Sequence, residues 1–200
     1  MTIRNWTLPK VLPYILIIGG IIGYACAFII MFDKVQLADN PNFVPNCNLN
    51  PIISCGSVMQ SDQANAFGFP NPFLGLGGFA ILATIGAAIL AGGKFKRWFW
   101  LAVNAGLLFA GGFVLWLFFQ SVYRIQALCP YCMAVWVVSL TSFWYLTLYN
   151  IDQKNLKLPK KATKGYAWVR RHHLDLLILA FLIITALILK HFWYYYGRNF

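Results

Sequence analysis

Four of the five cysteines in this 200-residue chain fall into two pairs, Cys47 with Cys55 and Cys129 with Cys132. Cys129-Pro130-Tyr131-Cys132 is a C-x-x-C, the spacing at which two sulfurs can open and close a disulfide. Its proline suits the first turn of a helix. A helix starting there holds the sulfurs near its positive end, where a thiolate is favoured. Two such pairs on one side of a barrier can pass electrons, because a thiolate of one attacks the disulfide of the other through a mixed disulfide. The same residues also allow a four-cysteine zinc site, or two static disulfides that pin a loop. No histidine stands near them to complete a mixed zinc set, since His172, His173 and His191 lie downstream. Cys26 differs from the other four. It sits in an unbroken apolar run, where a thiol stays protonated and inert.

The elements that must position these residues are set by composition. The chain is 60% hydrophobic and 10% charged, against about 25% charged in soluble domains. That excludes an ordinary water-soluble globule. Lys and Arg number 16 against 5 acidic residues, but they sit in short patches between apolar runs. A nucleic-acid surface needs a basic stripe on a soluble fold, so lipid is the expected partner and nucleic acid is not. Five stretches are long and apolar enough to span a bilayer: 12–32, 73–93, 98–121, 129–150 and 174–194. The first is expected to be retained, because no small-residue cleavage site follows it at the usual distance.

Orientation follows from Lys and Arg in the flanks. With the N-terminus in the cytoplasm, that side holds 12 of these residues, including Arg4, Lys160 and Lys161, and the outer side holds 4. The outer four are Lys34, Arg124, Lys190 and Arg198, the last two running against the trend. This places all four paired cysteines outside the cytoplasm, where disulfides persist. The polar segment 33–72 forms an outer loop rich in Pro, Asn and Asp, with a short helix expected over 58–67. Asn71 is suited to cap the next helix and Pro72 to begin it. Phe67, Phe69 and Phe73 suit either a pocket wall or an interfacial belt. Gly19, Gly23, Gly75, Gly78, Gly111 and Gly112 suit close helix packing. A dithiol at a bilayer surface, in a sequence without haem or flavin motifs, points to a membrane quinone as electron acceptor.

Taken together, Cys47 to Ser61 (CNLNPIISCGSVMQS), the run FGFPNPFLGLGGF over 67–79, and Cys129-Pro130-Tyr131-Cys132 resemble the vitamin K epoxide reductase family. The likeness is strongest to its bacterial, disulfide-generating members and covers about residues 12–150. It implies an all-α membrane protein: a four-helix bundle around a quinone of menaquinone or ubiquinone type, capped by the outer loop. The implied domains are a catalytic unit over 1–150, a basic cytoplasmic linker over 151–173, and a fifth helix with its tail over 174–200. By the same likeness Cys132 faces the quinone and Cys129 is its exposed partner. Cys55 exchanges with Cys129, and Cys47 receives electrons from a thioredoxin-like protein. Ser61 and Asn71 match the family's loop serine and quinone-contacting asparagine, and Phe73 is expected beside the ring. No metal is implied. One departure stands out: some members have a Tyr four residues after the second C-x-x-C cysteine, where this chain has Trp136, which lacks the hydroxyl.

The expected activity is therefore reoxidation of a thioredoxin-like partner, a separate chain, at the plasma membrane, with electrons leaving to quinone. The alternatives are a quinone or quinone-epoxide reductase whose product is the reduced ring, and a disulfide-stapled membrane scaffold without catalysis.

Overall fold

A computed structural model of the chain describes residues 8–159 and 162–196. Arg4, Lys160, Lys161 and Arg198 of the charge count lie outside the described residues. Helix α1 is Leu8–Asp39, α2 Cys55–Met59, α3 Pro72–Leu90 and α4 Arg97–Phe119. A π-helical turn, Gln120–Ile125, prolongs α4. Then come α5 (Pro130–Asp152), α6 (Thr163–Arg171), α7 (His173–His191) and the single turn α8 (Trp193–Tyr196). Five of these helices are long and apolar enough to cross a membrane, and the chain is a multi-pass membrane protein. Among the described residues the only extended pairing is one isolated bridge, Ile53 with Leu128. The expected all-helical membrane bundle is what the chain forms.

Helix α1 runs further than expected. Its 32 residues reach about 48 Å at 1.5 Å per residue, well beyond the ~30 Å of hydrocarbon. The stretch after Asp33 contains no helix breaker, and the helix stops only where Asn40 precedes Pro41. The expected loop 33–72 therefore begins at residue 40. The helix expected over 58–67 is also different. Ser54 caps α2 by accepting the N–H of Ser57, which starts the helix at Cys55. Ser61 Oγ then donates to the carbonyl of Val58 at 2.7 Å, and the chain turns into a 3-10 segment, Asp62–Asn65.

In the bundle α1 packs on α3 and α5, and α5 packs on α4, while α3 and α4 barely meet. Missing side chains make the α1–α3 contact possible. A Cβ at Gly20 would lie 2.7 Å from the backbone N of Ala83, and one at Gly23 would lie 2.4 Å from the Phe79 ring. Gly75 is equally tight against Ala27, but Gly78 and Gly112 face open space, contrary to expectation. Between α4 and α5, Asn150 donates to the Trp100 carbonyl at 3.2 Å and to Asn104 Oδ1 at 3.1 Å. Thr147 donates to that same Asn104 oxygen, so these amides are satisfied where water is scarce. Helix α7 is peripheral, with only 6% of its most apolar window buried against 22–33% for the other four. It is held at its start, where Trp144 Nε1 donates to the His173 carbonyl at 3.1 Å and Tyr145 Oη pairs with His173 Nδ1 at 3.3 Å. Beside it, Asp152 anchors α6 through Arg170 at 2.9 Å and through a hydrogen bond from Tyr166.

Candidate active site

After the π-helical turn, Gln126 adopts a left-handed conformation (φ 59°), which swings Ala127 and Leu128 out of helical register. Leu128 then pairs with the loop: its N–H donates to the Ile52 carbonyl at 2.7 Å, and its own carbonyl accepts the Ser54 N–H at 3.0 Å. Cys55 follows Ser54 and Cys129 follows Leu128, so this two-bond bridge brings the two cysteine pairs together. Cys55 and Cys129 are both fully buried, in one cluster with Cys47, Met59 and Ile30. The expectation of an exposed Cys129 is thereby corrected: the loop that carries Cys55 covers it.

The loop's asparagines shape it locally. Asn50 Oδ1 accepts the N–H groups of Ile52 and Ile53 at 2.9 and 2.7 Å, and Asn48 Oδ1 accepts that of Gly56 at 2.9 Å. These turns set the approach of Cys55 to Cys47, and the two form a disulfide with Cα atoms 5.7 Å apart. The bond removes both sulfurs as thiolate ligands for zinc, and no cluster of metal-binding type occurs among the described residues.

Cys129 and Cys132 are free thiols. Pro130 occupies the first turn of α5, as the sequence implies, and Cys129 is its N-cap, its Sγ accepting the Cys132 N–H at 3.4 Å. The thiol of Cys129 is held below the ordinary thiol value, chiefly by a hydrogen bond from the Cys132 side chain. Backbone N–H groups at the helix start add to this, and burial opposes it. Arg124, one turn earlier, is exposed and does not contribute to that shift.

Below the pair lies a partly open cavity of about 610 Å³, bounded by α1, α3, α4 and α5, of which α3 and α4 barely meet each other. Cys132 and Trp136 of α5, Ser61 of the loop and Asn71 all line it. Trp136 is buried, edge-on to Phe118 with ring centroids 5.5 Å apart. The volume lies within the ~300–1,000 Å³ of small-molecule sites. Its walls are mostly apolar, and the few polar groups include the hydroxyls of Ser61, Ser121 and Ser139. That combination fits a quinone, which needs a dry slot for ring and tail and a small number of donors for two ring oxygens.

Not every expected residue reaches the cavity. Phe73 is 50% exposed and is not part of its lining; its position at the second residue of α3 turns it outward. Phe67 packs at a tilt against Phe113, a lining residue, with ring centroids 5.2 Å apart, and is not itself part of the lining. Asn71 does not cap α3 with its side chain. Its Oδ1 accepts the Ala66 N–H at 3.0 Å and its Nδ2 donates to the Gln63 carbonyl at 2.7 Å, which leaves one amide hydrogen for a ligand.

Lys34 went unrecognised as part of the site. Its ammonium donates to Asn65 Oδ1 at 2.9 Å and to the Met59 carbonyl at 3.2 Å, tying the cap to α1, and its side chain lines the cavity. Its one signal in the sequence was a cation on the side where cations are scarce.

A thiol pair at the end of an apolar cavity, under a disulfide-bearing cap inside a helical bundle, defines a membrane-embedded thiol redox protein. The sequence matches the model of the vitamin K epoxide reductase family over residues 14–147, and the chain belongs to that family. Members are, in general, membrane oxidoreductases of the thiol–disulfide and quinone type. Comparison with curated proteins returns no match.

Proposed function

We propose that the protein reoxidises a thioredoxin-like partner and delivers the electrons to a membrane quinone. The carrying observation is the bridge between Ile53 and Leu128, which packs Cys55 with Cys129 while Cys132 faces the cavity. A thiolate of the reduced partner attacks Cys47, breaking the Cys47–Cys55 bond and freeing the Cys55 thiolate. The partner's second thiol then displaces Cys47, leaving the partner as a disulfide. Cys55 attacks the oxidised membrane pair at Cys129, releasing Cys132. Cys47 resolves that mixed disulfide, restoring the loop bond and a Cys129–Cys132 dithiol.

A bound quinone supplies a two-electron, two-proton acceptor. Cys132 would face it; as the Cys129–Cys132 disulfide re-formed, the two thiol protons would pass to the ring oxygens with the two electrons. The remaining amide hydrogen of Asn71 would orient one of those oxygens, and Ser61, its hydroxyl donated to Val58, would form the loop-side wall. Trp136, in place of a phenol, offers a stacking face, which favours quinone over epoxide as the oxidant. The redox end faces the outside of the plasma membrane, following the distribution of Lys and Arg, and the basic residues of 151–173 stand in the cytoplasm.

The test is quinone reduction by the purified protein with two donors, a reduced thioredoxin-like protein and a small dithiol. Wild type is expected to use both, and Cys47→Ala only the small dithiol. Equal rates for the two proteins with the protein donor would overturn the relay. The loop also offers the partner a foothold, because Val44 and Leu49 flank Cys47 at 66% and 71% exposure. Replacing both with Asp is expected to raise KM for the protein donor about tenfold, the scale of losing an apolar interface anchor. Turnover with the small dithiol should not change.

A further inference from the structure

Helix α7 ends in an aromatic run, Phe192-Trp193-Tyr194-Tyr195-Tyr196, of the kind that anchors a span at the bilayer surface. Trp193 and Tyr194 are exposed and fit that role. Phe192 does not. It is 0% exposed and packs in one cluster with Ile52, Leu128, Val122, Phe118 and Trp136. Ile52 and Leu128 are joined by the shorter bond of the bridge, and Trp136 lines the cavity. The preceding His191 stands edge-on to Phe192 at 5.1 Å and to Tyr123 of the π-helical turn at 4.9 Å.

This burial is not a by-product of helix packing, because α7 lies almost bare along its length. The helix meets the bundle chiefly at its two ends, through His173 and through Phe192. A bridge of two hydrogen bonds does not hold itself together, and Phe192 closes the apolar side of it. The segment lies beyond the family match, which stops at residue 147.

We propose that Phe192 is a positioning residue. The far end of α7 acts as a strap that presses the Ile52–Leu128 pairing and Trp136 into place. Disulfide exchange between Cys55 and Cys129, and the seating of a ring against Cys132, both depend on it. The second of these consequences rests on the function proposed above; the first does not.

Two measurements on the full-length protein test this. In the first, Cys47→Ser and Cys132→Ser leave Cys55 and Cys129 as the only members of the two pairs, and diamide links them. Adding Phe192→Ala is expected to slow linking at least about tenfold, within the ~10²-fold that a misplacement of about 1 Å can cost. Phe192→Leu, which keeps an apolar body, is expected to slow it about threefold on the same basis. Leu182→Ala, in mid-helix and 59% exposed, should leave the rate unchanged. In the second, with native cysteines, Phe192→Ala should raise KM for a short-chain quinone more than it lowers kcat with a small dithiol.

Linking at the wild-type rate in both Phe192 variants would overturn the proposal, as would equal slowing by Leu182→Ala. If Phe192→Ala does not fold, the Phe192→Leu rate decides. A wild-type protein that reduces no quinone would sink the functional reading, and the linking rates would still decide the positioning role.

Discussion

Replacing Cys132 with Ser is expected to abolish quinone reduction with every donor, a loss on the order of 10³-fold or more for removal of the reacting sulfur. The fold should survive. Ser differs by one atom, and the N-cap of α5 belongs to Cys129, which accepts the residue-132 N–H whichever side chain stands there. On non-reducing gels a Cys55–Cys129 linked species should appear, since Cys129 has lost its partner in the pair. Cys26→Ser serves as the control. Cys26 is a buried free thiol of α1, and turnover should match wild type. Full activity in Cys132→Ser would mean that the electrons do not pass through the Cys129–Cys132 pair, and a wild type that reduces no quinone would make the disulfide-pinned scaffold the better description.

The second large effect concerns the bundle. Gly20→Val is expected to lower the thermal midpoint by about 6–12 °C, corresponding to about 3 kcal/mol of overpacking. The new Cβ would stand 2.7 Å from the Ala83 N and 2.8 Å from the Phe79 carbonyl. Both are helix backbone, which cannot swing aside as a side chain would. The α1–α3 contact would have to open, and α3 forms one wall of the cavity. Gly112→Val provides the comparison, because nothing lies within 4 Å of that position. With nothing to overlap, it should be neutral or stabilising by a few tenths of a kcal/mol (~0.3), because Val ranks above Gly in helix propensity. Thermal unfolding followed by circular dichroism in one detergent would compare the two. A Gly20 variant as stable as the Gly112 variant would contradict the packing described.

The spans were legible because about twenty apolar residues in a row have few other uses, and the start of α5 was legible because Pro130 and the paired sulfurs define it. What escaped was set by contacts distant in sequence. The Ile53–Leu128 bridge is a single residue pair, too short to leave any period-2 pattern. The side chain of Asn71 reads as a cap, yet the carbonyl of Gln63 and the N–H of Ala66 compete for it and win. Phe73 sits one residue from lining residues on either side, and only the helical phase decides that it faces away. Phe192 stands in an aromatic run whose other exposed members behave as the composition suggests, so nothing local marked it as a core residue. The glycines divide the same way: Gly23 and Gly78 look alike in sequence, but only the first has a neighbouring helix against it.

The gap between α3 and α4 carries one more consequence. In the function proposed above, a ring with a lipid tail would reach Cys132 sideways from the bilayer between these helices, without passing the hydrogen-bonded cap or entering water. Its encounter rate is then set by two-dimensional diffusion, and the relevant concentration is its mole fraction among the lipids. Adding inert phospholipid at a fixed total amount of long-tailed quinone should slow turnover by surface dilution, whereas adding buffer at a fixed lipid-to-quinone ratio should not. The proposed thioredoxin-like donor would arrive from the aqueous side and should show the opposite dependence. One protein would thus obey two concentration scales, one for each of its substrates.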